Sequence, residues 1–79
     1  MAPFYRRGTA GAYTYVCTVR LAKDGWEWQG HKHPTAGEPA DVFGPVAASG
    51  GPYKTNEEAD KAADRWFFSI PGIVEERHR

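Results

Sequence analysis

The sequence predicts an α+β domain of the order β-β-β-α: a three-stranded antiparallel sheet with one C-terminal helix packed on one face. Three observations carry that prediction. Residues Tyr13 to Leu21 alternate apolar and polar side chains, Asp24-Gly25 then marks a turn into a second alternating run from Trp26 to Gln29, and beyond Thr55 the apolar spacing lengthens from two residues to 3.6.

At the N-terminus, residues 1–11 mix Pro3, Arg6, Arg7, Gly8 and Gly11 without periodicity and read as a flexible arm, with Phe4 and Tyr5 as its apolar points. The first strand follows. Tyr13, Tyr15, Cys17, Val19 and Leu21 share one side, whereas Thr14, Thr18 and Arg20 share the other, with Val16 as an apolar exception. A two-residue loop at Asp24-Gly25 would set Lys23 opposite Trp26, Leu21 opposite Trp28 and Val19 opposite Gly30. A slip of one residue would place Leu21 against Glu27, which the hydrophobic pattern disfavours.

The stretch from His31 to Phe43 contains Pro34, Pro39 and Gly37 and follows neither period, so it reads as a long loop and the first place to look for a site. A weaker third strand covers Gly44 to Ser49, closed by Gly50-Gly51-Pro52. The helix begins at a capping box, Thr55-Asn56-Glu57-Glu58, in which the Thr55 hydroxyl and the Glu58 carboxylate each satisfy a free backbone amide. Ala59, Ala62, Ala63, Trp66 and Ile70 form its buried stripe, Phe67 lies at the edge, and Phe68 falls about 180° away. Pro71-Gly72 stops it, and residues 73–79 read as a flexible charged tail. Residues 12–72 thus make one domain, which suits a chain of 79 residues.

From Asp24 to Trp66 the pattern resembles the YegP-like family of small bacterial proteins of unknown function. The residues that carry the resemblance are Asp24-Gly25-Trp26-Glu27-Trp28, Val46-Ala47-Ala48-Ser49, and Gly51-Pro52-Tyr53-Lys54-Thr55 leading into the helix. It implies a β-β-β-α unit with a tryptophan-bearing second strand, and it implies no activity. This chain has the unit once where the family commonly repeats it, and Pro52 separates the Gly-Tyr pair.

Composition narrows the function classes. With 41% hydrophobic and 25% charged residues the chain is a folded domain rather than a disordered one. Ten basic and ten acidic side chains cancel, so no overall field draws it to nucleic acid or to an anionic membrane, and no run is apolar enough to span a bilayer. One cysteine permits no internal disulfide and suits a reducing cytoplasm.

Catalytic and cofactor motifs are sparse. His31 and His33 would project to one side of an extended segment as two imidazole donors, but a zinc site needs more and no third ligand has an evident source, so these read as solvated loop histidines. Cys17 occupies the core parity of its strand and reads as a small buried hydrophobe rather than a nucleophile. Asp60 and Asp64 sit at i and i+4 among Lys61 and Arg65, a solvated charged face. Gly50 and Gly51 precede a helix, yet the remainder of a phosphate loop is missing and Glu57 and Glu58 would repel an anion.

The reading is therefore a non-catalytic protein-interaction or self-association module without cofactor or metal. Its candidate contacts are Phe68, Phe43, His31 and His33. The alternative is weak nucleic-acid binding through Arg6, Arg7, Arg20 and Lys32, which an outer sheet face without stacking aromatics supports less well.

Overall fold

A computed structural model describes residues 5–36 and 43–76. Alternation of side chains builds four consecutive antiparallel strands: β1 (Arg6–Ala10), β2 (Tyr13–Ala22), β3 (Gly25–Pro34) and β4 (Val46–Tyr53). The helix α1 (Asn56–Phe68) then crosses the sheet, and β5 (Val74–Glu75) adds on beside β1, giving five strands in the order β4-β3-β2-β1-β5. The α+β class and the single helix agree with expectation, and the strand count is corrected from three to five.

Both extra strands come from segments expected to be irregular. The supposed arm contains β1, which pairs with β2 from Arg6 opposite Cys17 to Ala10 opposite Tyr13. Its small residues are a packing requirement. A Cβ on Gly8 would lie 2.7 Å from Cζ of Phe67 and 2.6 Å from the Val74 carbonyl oxygen, so glycine admits both the helix and β5. The supposed tail contains β5, held by the pairings Gly8 with Glu75 and Thr9 with Val74. Neither strand has a hydrophobic run of its own, and each exists through its partner.

The β2–β3 hairpin keeps the expected parity in a different register. Leu21 pairs with Trp26, Val19 with Trp28, Cys17 with Gly30 and Arg20 with Glu27, so the loop residues are Lys23 and Asp24. Gly25 opens β3 rather than sitting in the turn; its φ of +144° and the Tyr53 carbonyl oxygen 2.6 Å from a Cβ there both demand glycine. A shift of two residues moves no side chain to the other face, which is why the facial assignment holds while the pairing does not. The same parity carries β3 on through Pro34, so His31 and His33 belong to a strand and not to the expected loop. The rest of that loop, residues 37–42, lies outside the described residues. At the far edge, β4 continues past Ser49 to Tyr53 with irregular pairing between Trp26 and Trp28.

The capping box at Thr55 is present in both directions. Thr55 Oγ1 accepts from the Glu58 amide at 3.1 Å, and the Thr55 amide donates to Glu58 Oε1 at 3.2 Å. Along α1 the fully buried residues are Ala59, Ala63 and Phe67, with Trp66 only partly covered, so the deepest side is rotated toward Phe67 from the expected stripe. The two small alanines bring the helix close to β2, where Cys17 Sγ lies 4.0 Å from the Ala63 carbonyl oxygen. On either side the large rings drop into gaps left by glycine, Phe67 at Gly8 and Trp66 at Gly30. Cys17, Trp28, Ala63 and Phe67 make the core, edged by Tyr5, Tyr15, Val19, Ala48, Tyr53, Ala62, Trp66 and Ile73.

Candidate functional site

The sequence-nominated residues separate into three places. Phe68 is the last residue of α1 and remains 55% exposed. Its neighbour Phe67 meets it edge-on at 5.1 Å between ring centroids, and the guanidinium carbon of Arg6 lies 4.9 Å from the Phe68 centroid. Arg6 reaches there because Arg6 pairs with Cys17 and thus shares the helix side of the sheet. It also lies over the Tyr5 ring, bonds Asp64 Oδ1 through Nε at 3.0 Å, and bonds Glu75 through Nη1. One guanidinium therefore ties β1, α1 and β5 together beneath an exposed ring. A planar, always charged group with an edge of donors and two stacking faces suits that position in a way lysine would not.

The four cations nominated for nucleic acid do not gather. Arg6 and Lys32 lie on the helix side, whereas Arg7 and Arg20, paired with Val16 and Glu27, lie on the other. Arg7 bonds Glu76 at 3.1 Å, Arg20 bonds Glu27, and Lys32 Nζ sits 4.3 Å from the Tyr13 ring centroid. Three of the four charges are thus matched by carboxylates.

His31, His33 and Phe43 form the third group, on the face opposite α1. The strand places His31 opposite Val16 and His33 opposite Thr14, and all four are buried. The expectation of solvated histidines is corrected: His31 is 8% and His33 4% exposed. Phe43 packs on His31 at 5.5 Å between centroids, and the Gly44 carbonyl takes a hydrogen bond from His31 Nδ1 at 3.1 Å. Gly44, at φ +91°, lies so close that a Cβ would come within 2.8 Å of the His33 Cβ. Thr14 and Thr35 join hydroxyls at 2.8 Å, closing the end of the face. Val16, the apolar exception in the alternation, is fully covered here, so this second face is also a packed one.

Elsewhere the chemistry is quiet. Burial pushes the Cys17 thiol up to about 12, with the nearby Arg6 charge opposing, so the thiolate needed for nucleophilic work is suppressed. Burial, and after it the charges of Asp64 and Glu57, raises the Asp60 carboxyl. A cleft of about 230 Å³ beside α1 is lined by Tyr53, Glu58, Lys61, Ala62 and Arg65, but Glu58 is already spent on the helix cap. No helix among the described residues is long and apolar enough to cross a membrane.

Arg6 does not stand out in the sequence as an organising residue, because the Pro- and Gly-containing segment around it reads as an arm rather than as β1. The available signal is the alternation Arg6, Gly8, Ala10 against Arg7, Thr9. The burial of the histidines does not stand out either, because the prolines outweigh the continuing alternation His31-Lys32-His33. Comparison with protein-family models, with curated proteins and with solved structures gave no match.

Proposed function

We propose that this chain is a non-catalytic protein-interaction module that associates with a second copy of itself through the C-terminal end of α1, with Phe68 as the anchor. The observation that carries the reading is the exposed Phe68 ring with the Arg6 guanidinium held against it by Asp64 and Glu75. Aromatic and arginine side chains are the types that dominate interface energetics when desolvated, and here the arginine is already positioned and charge-matched. A formal net charge of zero leaves no long-range repulsion between copies. The other nominated contacts, Phe43, His31 and His33, serve internal packing and play no part in this reading. The raised Cys17 thiol is consistent with a structural role for that residue.

Light scattering coupled to gel filtration over a concentration series tests it. The wild-type mass is expected to rise from 8.8 kDa toward twice that value as concentration increases, while Phe68→Ala stays at 8.8 kDa. A wild-type monomer at every concentration, or equal association of the variant, overturns the proposal.

A further inference from the structure

The outward side of α1 carries more than its terminal ring. Lys61, Arg65 and Phe68 stand at i, i+4 and i+7 and so share one stripe, which Glu57 heads one turn before Lys61. All four are exposed. Cations at i and i+4 repel each other, and among the described residues neither Lys61 nor Arg65 is matched by a carboxylate, whereas Arg6, Arg7 and Arg20 each are. Glu57 is likewise without an ion pair among the described residues. The stripe is thus acidic where the helix begins, then basic, then aromatic where it ends.

The cleft of about 230 Å³ lies along this stripe. Tyr53 is one wall, Ala62, packed against the core, is the floor, and the exposed Lys61 and Arg65 form the rim. A cavity of ~150 Å³ holds benzene, so the cleft has room for a phenyl ring, which a phenol wall and two cations at the rim would attract. The chain's own Phe68 cannot supply it, since Phe68 lies seven residues beyond Lys61, about 10 Å along a rigid helix at ~1.5 Å per residue. A second copy can, and the charges choose its direction. Two parallel helices would set cation against cation. Two antiparallel helices set Arg65 of each copy opposite Glu57 of the other, and Lys61, nearest the two-fold axis, then lies between its own Glu57 and that of the other copy. In the same register Phe68 arrives just before the first turn of the other helix, where Tyr53 stands.

We infer that two copies dock with their α1 helices antiparallel about a two-fold axis, each Phe68 seated in the cleft between Tyr53 and Ala62 of the other copy and each Arg65 paired with the other's Glu57. The interface is isologous and closes at two chains. This rests on the self-association reading and adds to it the surface that receives the anchor.

The test is sedimentation of the 79-residue chain, its variants and equimolar mixtures of them over a concentration series. Phe68→Ala, and Ala62→Leu, which fills the cleft, are each expected to raise the dimer Kd ten-fold or more. Their mixture regains a heterodimer tighter than either homodimer, because one intact Phe68 then meets one intact cleft. Arg65→Glu and Glu57→Arg each weaken the dimer by placing like charges together, and their mixture associates with wild-type strength because both pairs are restored with reversed sign. Wild-type affinity in Ala62→Leu, or a charge-reversed mixture no tighter than its components, overturns this docking mode and leaves association through Phe68 standing. A wild-type monomer at every concentration overturns both and leaves the cleft to an outside partner. If Ala62→Leu does not fold, the charge-reversed pair decides alone, since Glu57 and Arg65 are exposed.

Discussion

Gly30→Ala is the sharpest probe of how α1 sits on the sheet. Gly30 is buried on β3, and a Cβ built there would lie 2.5 Å from Cη2 and Cζ3 of Trp66 and 2.8 Å from its Cε3. Carbon atoms settle at about 3.5 Å or more, so the indole has to retreat by ~1 Å over a whole ring edge. The ring has little freedom to do so, because Trp28 lies at 5.7 Å and Tyr15 at 6.1 Å between centroids. Overpacking of this kind costs about 1–3 kcal/mol. Replacing glycine within a strand returns roughly 0.5–1 kcal/mol of backbone entropy, leaving a net loss of about 1–2 kcal/mol. For a domain of this size that lowers Tm by roughly 5–15 °C. The assay is thermal and urea unfolding of Gly30→Ala, Trp66→Leu and the double variant. With the indole removed, the alanine is expected to become neutral or mildly stabilising, a coupling of about 1 kcal/mol or more. An equal loss in both backgrounds refutes the argument, since the clash would then not be with Trp66.

Two further outcomes follow from the titrating groups. Cys17, with its thiol pushed up to about 12, is expected to react with an aqueous thiol reagent at pH 8 about a thousand-fold more slowly in the native chain than in urea; comparable rates would place it at the surface. Asp60 has a folded pKa above its unfolded one, so its ionisation weakens the fold as pH rises through the folded value. Asp60→Asn should therefore raise the urea midpoint at pH 7, with the gain fading below the unfolded carboxylate value of about 3.9, and a gain that grows on acidification contradicts the sign.

What could be read from the chain alone divides by how locally each element is encoded. The helix cap is written in four consecutive residues, Thr55 to Glu58, and forms as read. The facial assignment of β2 and β3 rests on parity and holds, whereas their register turns on where Gly25 is needed. Gly25 is needed against the Tyr53 backbone, a contact visible only in three dimensions. Phe67 is the deepest ring of α1 although its wheel position looks marginal, because Gly8, far off in sequence, makes room for it. Among the nominated residues, Phe68 was placed correctly on the exposed side by helical geometry. The burial of His31 and His33 was not legible, since prolines at 34 and 39 obscured a strand that runs through the first of them.

The pairing of β1 with β5 has a consequence for the order in which the molecule comes together. β1 to β4 meet their neighbours across short separations, and α1 lays down on strands that are already adjacent. β5 instead joins residues more than 60 apart, through the pairings of Gly8 with Glu75 and Thr9 with Val74, the Arg6–Glu75 ion pair and the Glu76 amide bonded to Arg7 at 2.8 Å. Closing so wide a loop carries an entropic cost that a two-residue strand repays poorly. The clasp is therefore the last part to form and the first to open. While it is open, β1 becomes a free sheet edge and Arg6 loses one of its two carboxylates, so the exposure of this edge is governed by how often β5 parts from β1.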